Sequence, residues 1–235
     1  MKKPTKENLI KELIKDGYLK TPSIIETFNA IDRKDFVREE TINEAYENYP
    51  LAIGFGQTIS QPLTVAFMLE LLTPKTGEKI LDIGAGSGWQ TTLLAYVVGK
   101  SQINADNVQI DAEKDLREST LGNLRKSAIV VAIERIPELR KFAEENISKY
   151  ENLKNNIKII LGDGAKGFEE EAPYDKIIAA AAGEEIPAAW KEQLKIGGRI
   201  VAPVRQSIIV LDKTGQNQFS QKQYFGFNFV PLITE

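Results

Sequence analysis

The stretch Ile80-Leu81-Asp82-Ile83-Gly84-Ala85-Gly86-Ser87-Gly88 decides the fold of this 235-residue sequence. An apolar run of strand length ends in alternate glycines, and a run typical of a helix begins directly after them at Trp89. A strand, a glycine turn and a helix in that order form the turn with which α/β folds bind nucleotides. The stretch therefore predicts one unit of such a fold, with the turn at the end of its strand.

The chemistry of this turn favours one kind of ligand. Its glycines are spaced G-x-G-x-G and bulky Trp89 follows, which weakens the match to the G-x-G-x-x-G fingerprint of dinucleotide-binding folds. Closely spaced glycines let a ligand approach backbone N–H groups without a clash against Cβ. Asp82, just before them, suits a ligand that carries an ammonium group or ribose hydroxyls. These features indicate S-adenosylmethionine (AdoMet), and a glycine-rich turn without a ligand is the plainer alternative.

Strand-like and helix-like runs alternate around this unit. The predicted strands are KILDIG, SAIVVAIE, IKIILGD, YDKIIAAAA and RIVAPV, with helices between several of them. This alternation predicts an α/β fold with a doubly wound, mostly parallel sheet. The final runs SIIVLDK and KQYFGFNFVPLI predict a pair of antiparallel strands. Helical periodicity in residues 5–15, after Pro22 and after Pro62 predicts an N-terminal helical extension, and residues 44–60 are interpreted as an ordered loop.

The chain is interpreted as a single domain, 1–235, in which residues 1–60 hold the N-terminal helices and a substrate loop. Residues 101–126 are mostly polar and far exceed the usual helix-to-strand loop of about 2–6 residues. We interpret them as an insertion. A surface excursion is the simpler view of it, and a substrate lid or an oligomer contact are the alternatives.

Composition excludes several function classes. The sequence has no Cys and no His, which excludes disulfides, thiolate or imidazole metal sites and a Ser-His-Asp triad. A net charge of −3 argues against a broad nucleic-acid surface. No apolar run reaches the roughly 18–20 residues of a membrane span, and no signal peptide is visible, so we expect no metal, no membrane partner and a cytoplasmic location.

Two further acids follow predicted strands. Glu134 lies 46 residues after Gly88 (134 − 88), and subtracting an insertion of about 26 residues restores the spacing of about 20 at which a carboxylate accepts ribose hydroxyls. A helix-capping role is the alternative for Glu134. Asp163 lies in Gly162-Asp163-Gly164, where an acid can accept from an adenine amino group and the glycines admit a flat base. Three acids at successive strand ends strengthen the prediction of AdoMet.

These motifs together resemble class I AdoMet-dependent methyltransferases. The loop YPLAIGFGQTISQP, residues 49–62, resembles the hallmark loop of the protein-L-isoaspartate (D-aspartate) O-methyltransferase family. The segments Glu134–Leu139 (ERIPEL), 172–175 (APYD), 193–198 (QLKIGG) and 229–232 (FVPL) resemble that family too. The resemblance runs from about residue 5 to residue 235, without the insertion.

The resemblance implies methyl transfer from AdoMet to the free carboxylate of L-isoaspartyl, and in some cases D-aspartyl, residues in damaged proteins. The ester then cyclises to a succinimide, which starts repair. A carboxylate with an ordinary pKa near 4 is already a nucleophile at neutral pH, so this reaction needs no histidine base. Isoaspartyl-containing proteins and peptides are therefore the expected partners, and the sequence leaves the oligomeric state undetermined.

The resemblance also assigns site residues. Ser60 is implied as the catalytic and substrate-binding residue, whose hydroxyl orients the substrate carboxylate, although a helix N-cap role is the alternative without the resemblance. Val204 and Arg205 are implied at the substrate backbone. The implied cofactor-binding residues are Gln57, Thr58, Ile59, Asp82, Gly84, Ala85, Gly86, Ser87, Gly88, Glu134, Arg135, Asp163 and Gly164.

The sequence departs from the family at two places. Ala179–Ala182 stand where relatives commonly have VTAA or VTAG, and Arg205 stands where relatives commonly have the glycine of PVG. Arg205 is expected either to crowd the substrate, to attract a second carboxylate, or to be an ordinary surface arginine. A class I methyltransferase acting on RNA or a small molecule, and a non-catalytic AdoMet- or isoaspartate-binding protein, are the alternative functions.

Overall fold

The structure is a computed structural model that describes residues 3–106 and 129–234, with side chains described outside residues 100–106. Its centre is a seven-stranded sheet in the order β5-β4-β3-β6-β7-β8-β9. The strands are β3 (Ile80–Ile83), β4 (Val130–Glu134), β5 (Ile157–Leu161), β6 (Tyr174–Ala179), β7 (Leu194–Val204), β8 (Ser207–Gly215) and β9 (Gln218–Phe225).

The sheet is mixed in the way that the sequence predicts. The pairs β3–β4, β4–β5, β3–β6 and β6–β7 are parallel, and β7–β8 and β8–β9 are antiparallel. The central strands β3 and β4 are buried on both faces, which explains why they read as mostly apolar runs in the sequence, whereas β5 at the sheet edge is only partly buried. The doubly wound α/β fold with antiparallel C-terminal strands is therefore confirmed.

Helices cover both faces of the sheet. They are α1 (Lys6–Lys15), α2 (Pro22–Ala30), α3 (Pro62–Leu72), α4 (Trp89–Asp106), α5 (Pro137–Ile147), α6 (Glu151–Lys154) and α7 (Ala188–Gln193). Proline at the first helical position begins α2, α3 and α5, where its missing N–H costs no hydrogen bond. One core cluster joins α1–α6 to the sheet, and a second cluster lies between the opposite face and α7.

The structure differs from the prediction at several points. The last strand, predicted over KQYFGFNFVPLI (222–233), is β9 and ends at Phe225. The predicted loop 44–60 contains a small hairpin of β1 (Leu51–Gly54) and β2 (Gln57–Ile59). Its turn, Phe55-Gly56, has positive φ at both residues, as a two-residue type I′ turn requires. Helix α4 continues to Asp106, so the first six residues of the predicted insertion are helical, and 107–126 lie outside the described residues. No helix in the described ranges is both long and apolar enough to cross a bilayer.

Candidate functional site

A groove lies at the carboxyl ends of the parallel strands. The chain passes from β3 to β4 and β5 on one side and then returns to β6 and β7 on the other, so the strand order reverses beside β3. Doubly wound sheets bind ligands at such a reversal point. We call this cavity of about 80 Å³ the strand-end groove; its wall is formed by Gln57, Thr58, Ile83, Gly84, Gly86, Ile133, Glu134, Arg135, Ile136, Gly162, Gly164, Ala180, Ala181 and Val230–Ile233.

The glycine turn after β3 is held to β4 and to α5. The N–H groups of Gly84 and Ala85 both donate to the carbonyl of Ile133, at 2.8 and 3.0 Å. Gly88 has φ +86, and a Cβ added to it would lie 3.1 Å from Ile147 Cδ1 and 3.2 Å from the Ala143 carbonyl of α5. Gly88 therefore serves close packing rather than the groove wall, to which the structure does not bring it.

Glu134 lies in the groove wall and is nearly buried. One carboxylate oxygen accepts the Gly86 N–H at 2.8 Å, and the other accepts the Ile136 N–H at 2.9 Å. The side chain is thus fixed in orientation by two backbone donors, yet each oxygen keeps a second lone pair. Glu134 therefore accepts a backbone N–H just before α5, as the capping alternative expects, and also lines the strand-end groove.

Asp82 lies beneath the turn and not in the groove wall. Its side chain is fully buried, and its two oxygens accept from Gln90 Nε2 and from Thr91 Oγ1, both at 2.7 Å. Burial raises the pKa of Asp82 to about 6, although the two hydrogen bonds oppose that rise and the nearby Glu134 charge adds to it. The structure brings Asp82 to the start of α4, where it ties strand to helix below the expected ligand.

Asp163 also lies behind the groove wall. It is buried, its Oδ1 accepts the Ala165 N–H at 2.9 Å, and its Oδ2 lies 3.7 Å from the Lys166 ammonium. Its neighbours Gly162 and Gly164 form the wall instead. A Cβ on Gly164 would lie 2.5 Å from Ile83 Cγ2, so only glycine fits between this turn and β3.

Ser60 lies in a second, smaller cavity of about 30 Å³ beside the glycine turn. Predicted residues Thr58, Ile59, Gly84, Ala85, Gly86 and Ser87 line the same cavity. The residue that caps α3 is Gln61 and it makes no side-chain cap bond, so the N-cap alternative for Ser60 is wrong. Among the described residues no group bonds to the Ser60 hydroxyl, which leaves it available to a substrate.

Val204 ends β7, and Arg205 begins the two-residue turn to β8. They lie at one end of a broad groove of about 850 Å³. This groove follows β8 and β9, and we call it the β8–β9 groove. Arg205 has φ +54, a conformation that favours glycine, and this explains why a glycine suits the position. Its guanidinium lies on the surface, 3.1 Å from the Glu184 carboxylate.

The residues that line the strand-end groove suit AdoMet in their chemistry. A nearly buried carboxylate, Glu134, is present for hydroxyl groups, and the apolar side chains of Ile133, Ile136 and Leu232 are present for a flat base. A Cβ at Gly84 would lie 3.8 Å from Ala180 Cβ, in ordinary van der Waals contact, and both residues line the groove.

Sequence reasoning missed one wall of this groove. Val230–Ile233 reach it because the segment bonds beside β6: Ala182 N donates to the Val230 carbonyl, and Leu232 N donates to the Ala182 carbonyl, both at 2.8 Å. The FVPL segment is visible in the sequence, but nothing in its composition indicates that it leaves the sheet after β9 to return to the end of β6. Ala180 and Ala181, which the sequence marks only as departures from the family pattern, also lie in the groove wall.

Comparisons with known proteins agree with this geometry. A family model described as "Protein-L-isoaspartate(D-aspartate) O-methyltransferase (PCMT)" matches residues 4–129 and 122–235. A protein-L-isoaspartate O-methyltransferase of Methanopyrus kandleri is 36% identical over 98% of this chain and 92% of the relative, and one of Ignicoccus hospitalis is 37% identical over 98% of both.

A solved structure shares the fold. It is a protein-L-isoaspartate O-methyltransferase of Plasmodium falciparum in complex with S-adenosyl-L-homocysteine, with a TM-score of 0.79 over 99% of both chains and 24% sequence identity. At that identity the likeness shows the architecture, including the antiparallel C-terminal strands.

Proposed function

This chain belongs to the protein-L-isoaspartate(D-aspartate) O-methyltransferase family, and we propose that its strand-end groove holds AdoMet while Ser60 receives the substrate carboxylate beside it. The enzyme methylates the free carboxylate of L-isoaspartyl residues in proteins, and D-aspartyl residues are a second candidate substrate. One observation carries the assignment of the site: Ser60 and the glycine turn line the same small cavity, next to the groove that contains Glu134.

Four parts of the groove would hold AdoMet. Glu134 accepts the ribose hydroxyls, while Gly162 and Gly164 lie against the base. Gly84 and Gly86 lie along the methionine portion, and Leu232 adds an apolar contact. When bound, AdoMet supplies a methyl group on a positively charged sulfur, which can pass to a carboxylate oxygen.

Other residues shape the site without touching the ligand. Asp82 holds Gln90 and Thr91 in place below the turn, and Asp163 fixes the turn that presents Gly162 and Gly164. These contacts hold the groove wall in one shape before a ligand arrives, which reduces the cost of ordering it on binding.

The chain's own residues have little chemistry to perform. The substrate carboxylate is ionised at neutral pH, so no general base is required, in agreement with a sequence that has no histidine. The Ser60 hydroxyl donates a hydrogen bond to one carboxylate oxygen and leaves the other aligned for methylation. Alignment and exclusion of water, rather than proton transfer, are then the main source of rate enhancement.

We place the peptide chain of the substrate across the turn at Val204 and Arg205. This turn opens into the β8–β9 groove, which is wide enough for flanking side chains. The exposed Arg205–Glu184 pair offers one charge of each sign to them. Isoaspartyl-containing proteins and peptides are accordingly the partners that we assign to this surface.

The experiment is methyl transfer from labelled AdoMet to two synthetic peptides that differ only in one isoaspartyl or aspartyl linkage. We expect labelling of the isoaspartyl peptide alone, and release of the label as the ester cyclises. Equal labelling of both peptides would favour another carboxylate methyltransferase. Binding of AdoMet without any labelling would favour a non-catalytic protein.

A further inference from the structure

Arg33 is buried where a charged side chain is costly. Only 3% of its surface is exposed, and no ion pair joins it to a carboxylate among the described residues. Burial lowers the pKa of Arg33 to about 9, so the guanidinium still carries its charge at neutral pH. A buried cation without a partner carboxylate destabilises a fold unless hydrogen bonds compensate for the lost water. Main-chain carbonyls supply these hydrogen bonds to Arg33.

The guanidinium is bonded to main-chain carbonyls of one segment. Nη1 donates to Ala45 at 2.7 Å and to Glu47 at 3.3 Å. Nη2 donates to Tyr49 at 3.1 Å and to Ser60 at 3.2 Å. A single nitrogen thus joins the two residues that flank the β1–β2 hairpin, and the planar fork fixes their separation.

The same guanidinium also contacts the start of α4. The guanidinium carbon of Arg33 lies 5.3 Å from the ring centre of Trp89, the residue that begins α4 directly after Gly88. A cation over an indole face is attracted to it. Arg33 therefore connects the main chain at Ser60 with the first residue after the glycine turn.

We propose that Arg33 is a positioning residue that sets the distance between the Ser60 hydroxyl and the glycine turn, and so aligns the substrate carboxylate with AdoMet. This inference rests on the proposed function of the Ser60 cavity. A lysine cannot replace the arginine, because one ammonium group on a flexible stem cannot bond four carbonyls that lie around a plane. Arg33 touches neither ligand and acts only through the loop that carries Ser60.

The test compares Arg33→Lys with Ser60→Ala and with the double variant. Turnover is expressed per site that binds S-adenosyl-L-homocysteine, which corrects for any unfolded fraction. We expect each single variant to lose about tenfold or more in kcat on the isoaspartyl peptide, since one hydrogen bond is worth about that factor. The kcat of the double variant should be no lower than that of the less active single variant, because both changes remove the same contact.

Arg199→Lys is the matched control. Arg199 is a half-buried arginine that, like Arg33, donates to a main-chain carbonyl. Its partner is Leu71, at the end of α3 away from Ser60, and it also pairs with Asp212. Its variant should lose stability without losing turnover per binding site. The inference is overturned if the loss of kcat in the double variant equals the product of the two single losses. It is also overturned if Arg199→Lys loses as much turnover as Arg33→Lys.

A second variant covers the case in which Arg33→Lys does not fold. Methylguanidinium added to Arg33→Ala should restore kcat several-fold, whereas urea at the same concentration should not. If ligand binding returns and turnover does not, or if neither returns, Arg33 supports the fold as a whole and the proposed positioning role is wrong. Absence of methylation by the unmodified protein would instead refute the proposed function.

Discussion

The carboxylate of Glu134 accepts the backbone N–H of Gly86 at 2.8 Å, so the acid that ends β4 is bonded to the glycine turn that follows β3. Two neighbouring strands therefore present one ligand surface, in which the carboxylate and the backbone of the turn cannot move independently. We therefore expect the affinity for AdoMet and the shape of the turn to depend on the same side chain.

Glu134→Gln should weaken the binding of AdoMet and of S-adenosyl-L-homocysteine by about 1.5–3 kcal/mol, because it replaces a charged acceptor with an amide. Calorimetric titration measures the change. Glu138→Gln, which alters an exposed acid in the first turn of α5, is the control and should bind normally. Equal affinity in both variants would contradict the role of Glu134.

Asp82→Asn should change how stability depends on pH. The pKa of Asp82 in the folded state is raised to about 6, above the ordinary value of about 4. Between these pH values the folded state holds a proton on Asp82 that the unfolded state has lost. The contribution of Asp82 to wild-type stability therefore falls as pH rises through this range. The Asp82→Asn variant does not lose stability in this way, because asparagine does not titrate. Urea unfolding from pH 4 to 8 should show the variant gaining a few kcal/mol relative to wild type, with no further gain above about pH 7. A constant difference across the range would contradict the raised pKa.

Ser60→Ala should lower kcat on the isoaspartyl peptide about tenfold and leave the affinity for S-adenosyl-L-homocysteine nearly unchanged, since the hydroxyl is assigned to the substrate. Steady-state kinetics and calorimetry on the same preparation separate the two effects. Ser148→Ala removes a hydroxyl that bonds only the Glu145 carbonyl and serves as the control. Activity within twofold of wild type would exclude Ser60 as the carboxylate contact.

Arg205→Gly should not destabilise the protein and should raise the free energy of unfolding by up to about 1 kcal/mol. A left-handed conformation costs a non-glycine residue about 1–2 kcal/mol, which exceeds the gain in unfolded-chain entropy of about 0.4–1 kcal/mol. Gln206→Gly, at the next residue of the turn, has no positive φ to relieve and should be destabilising. Denaturant unfolding of the two variants should rank Arg205→Gly above Gln206→Gly; the reverse order would count against strain at Arg205.

Replacing residues 107–126 with a short glycine-containing turn should leave methyl transfer intact. The segment joins the end of α4 to the start of β4, and helix-to-strand connections of a doubly wound sheet emerge opposite the ligand crevice. Steady-state kinetics and light scattering on the variant test this. Normal AdoMet binding with lost turnover on peptides would show that the segment acts as a lid.

The sequence predicted the sheet well because its central strands β3 and β4 are buried on both faces and mostly apolar. The hairpin β1–β2 escaped prediction because its strands have four and three residues and include glycine and polar side chains. Its formation depends on two positive-φ turn residues and on tertiary support rather than on a local period.

The site was predicted less completely than the fold. Motif spacing predicts Glu134 and the glycines as site residues, and the structure brings Glu134, Gly84 and Gly86 into the groove wall. Spacing does not distinguish an acid in that wall from one below it, such as Asp82 with its bonds to Gln90 and Thr91. Arg33 carries no sequence signal at all, since an arginine is most often a surface residue and its four carbonyl partners are brought together only by the fold.

The strand-end groove draws its wall from six separate segments between residue 57 and residue 233. None of these segments can bind the ligand alone, and contacts between distant parts of a chain form slowly in folding. During refolding from denaturant, helical circular dichroism should therefore return before the capacity to bind S-adenosyl-L-homocysteine. Binding of S-adenosyl-L-homocysteine then measures how fast the complete groove forms. Its presence during refolding should also stabilise the fully folded state by mass action.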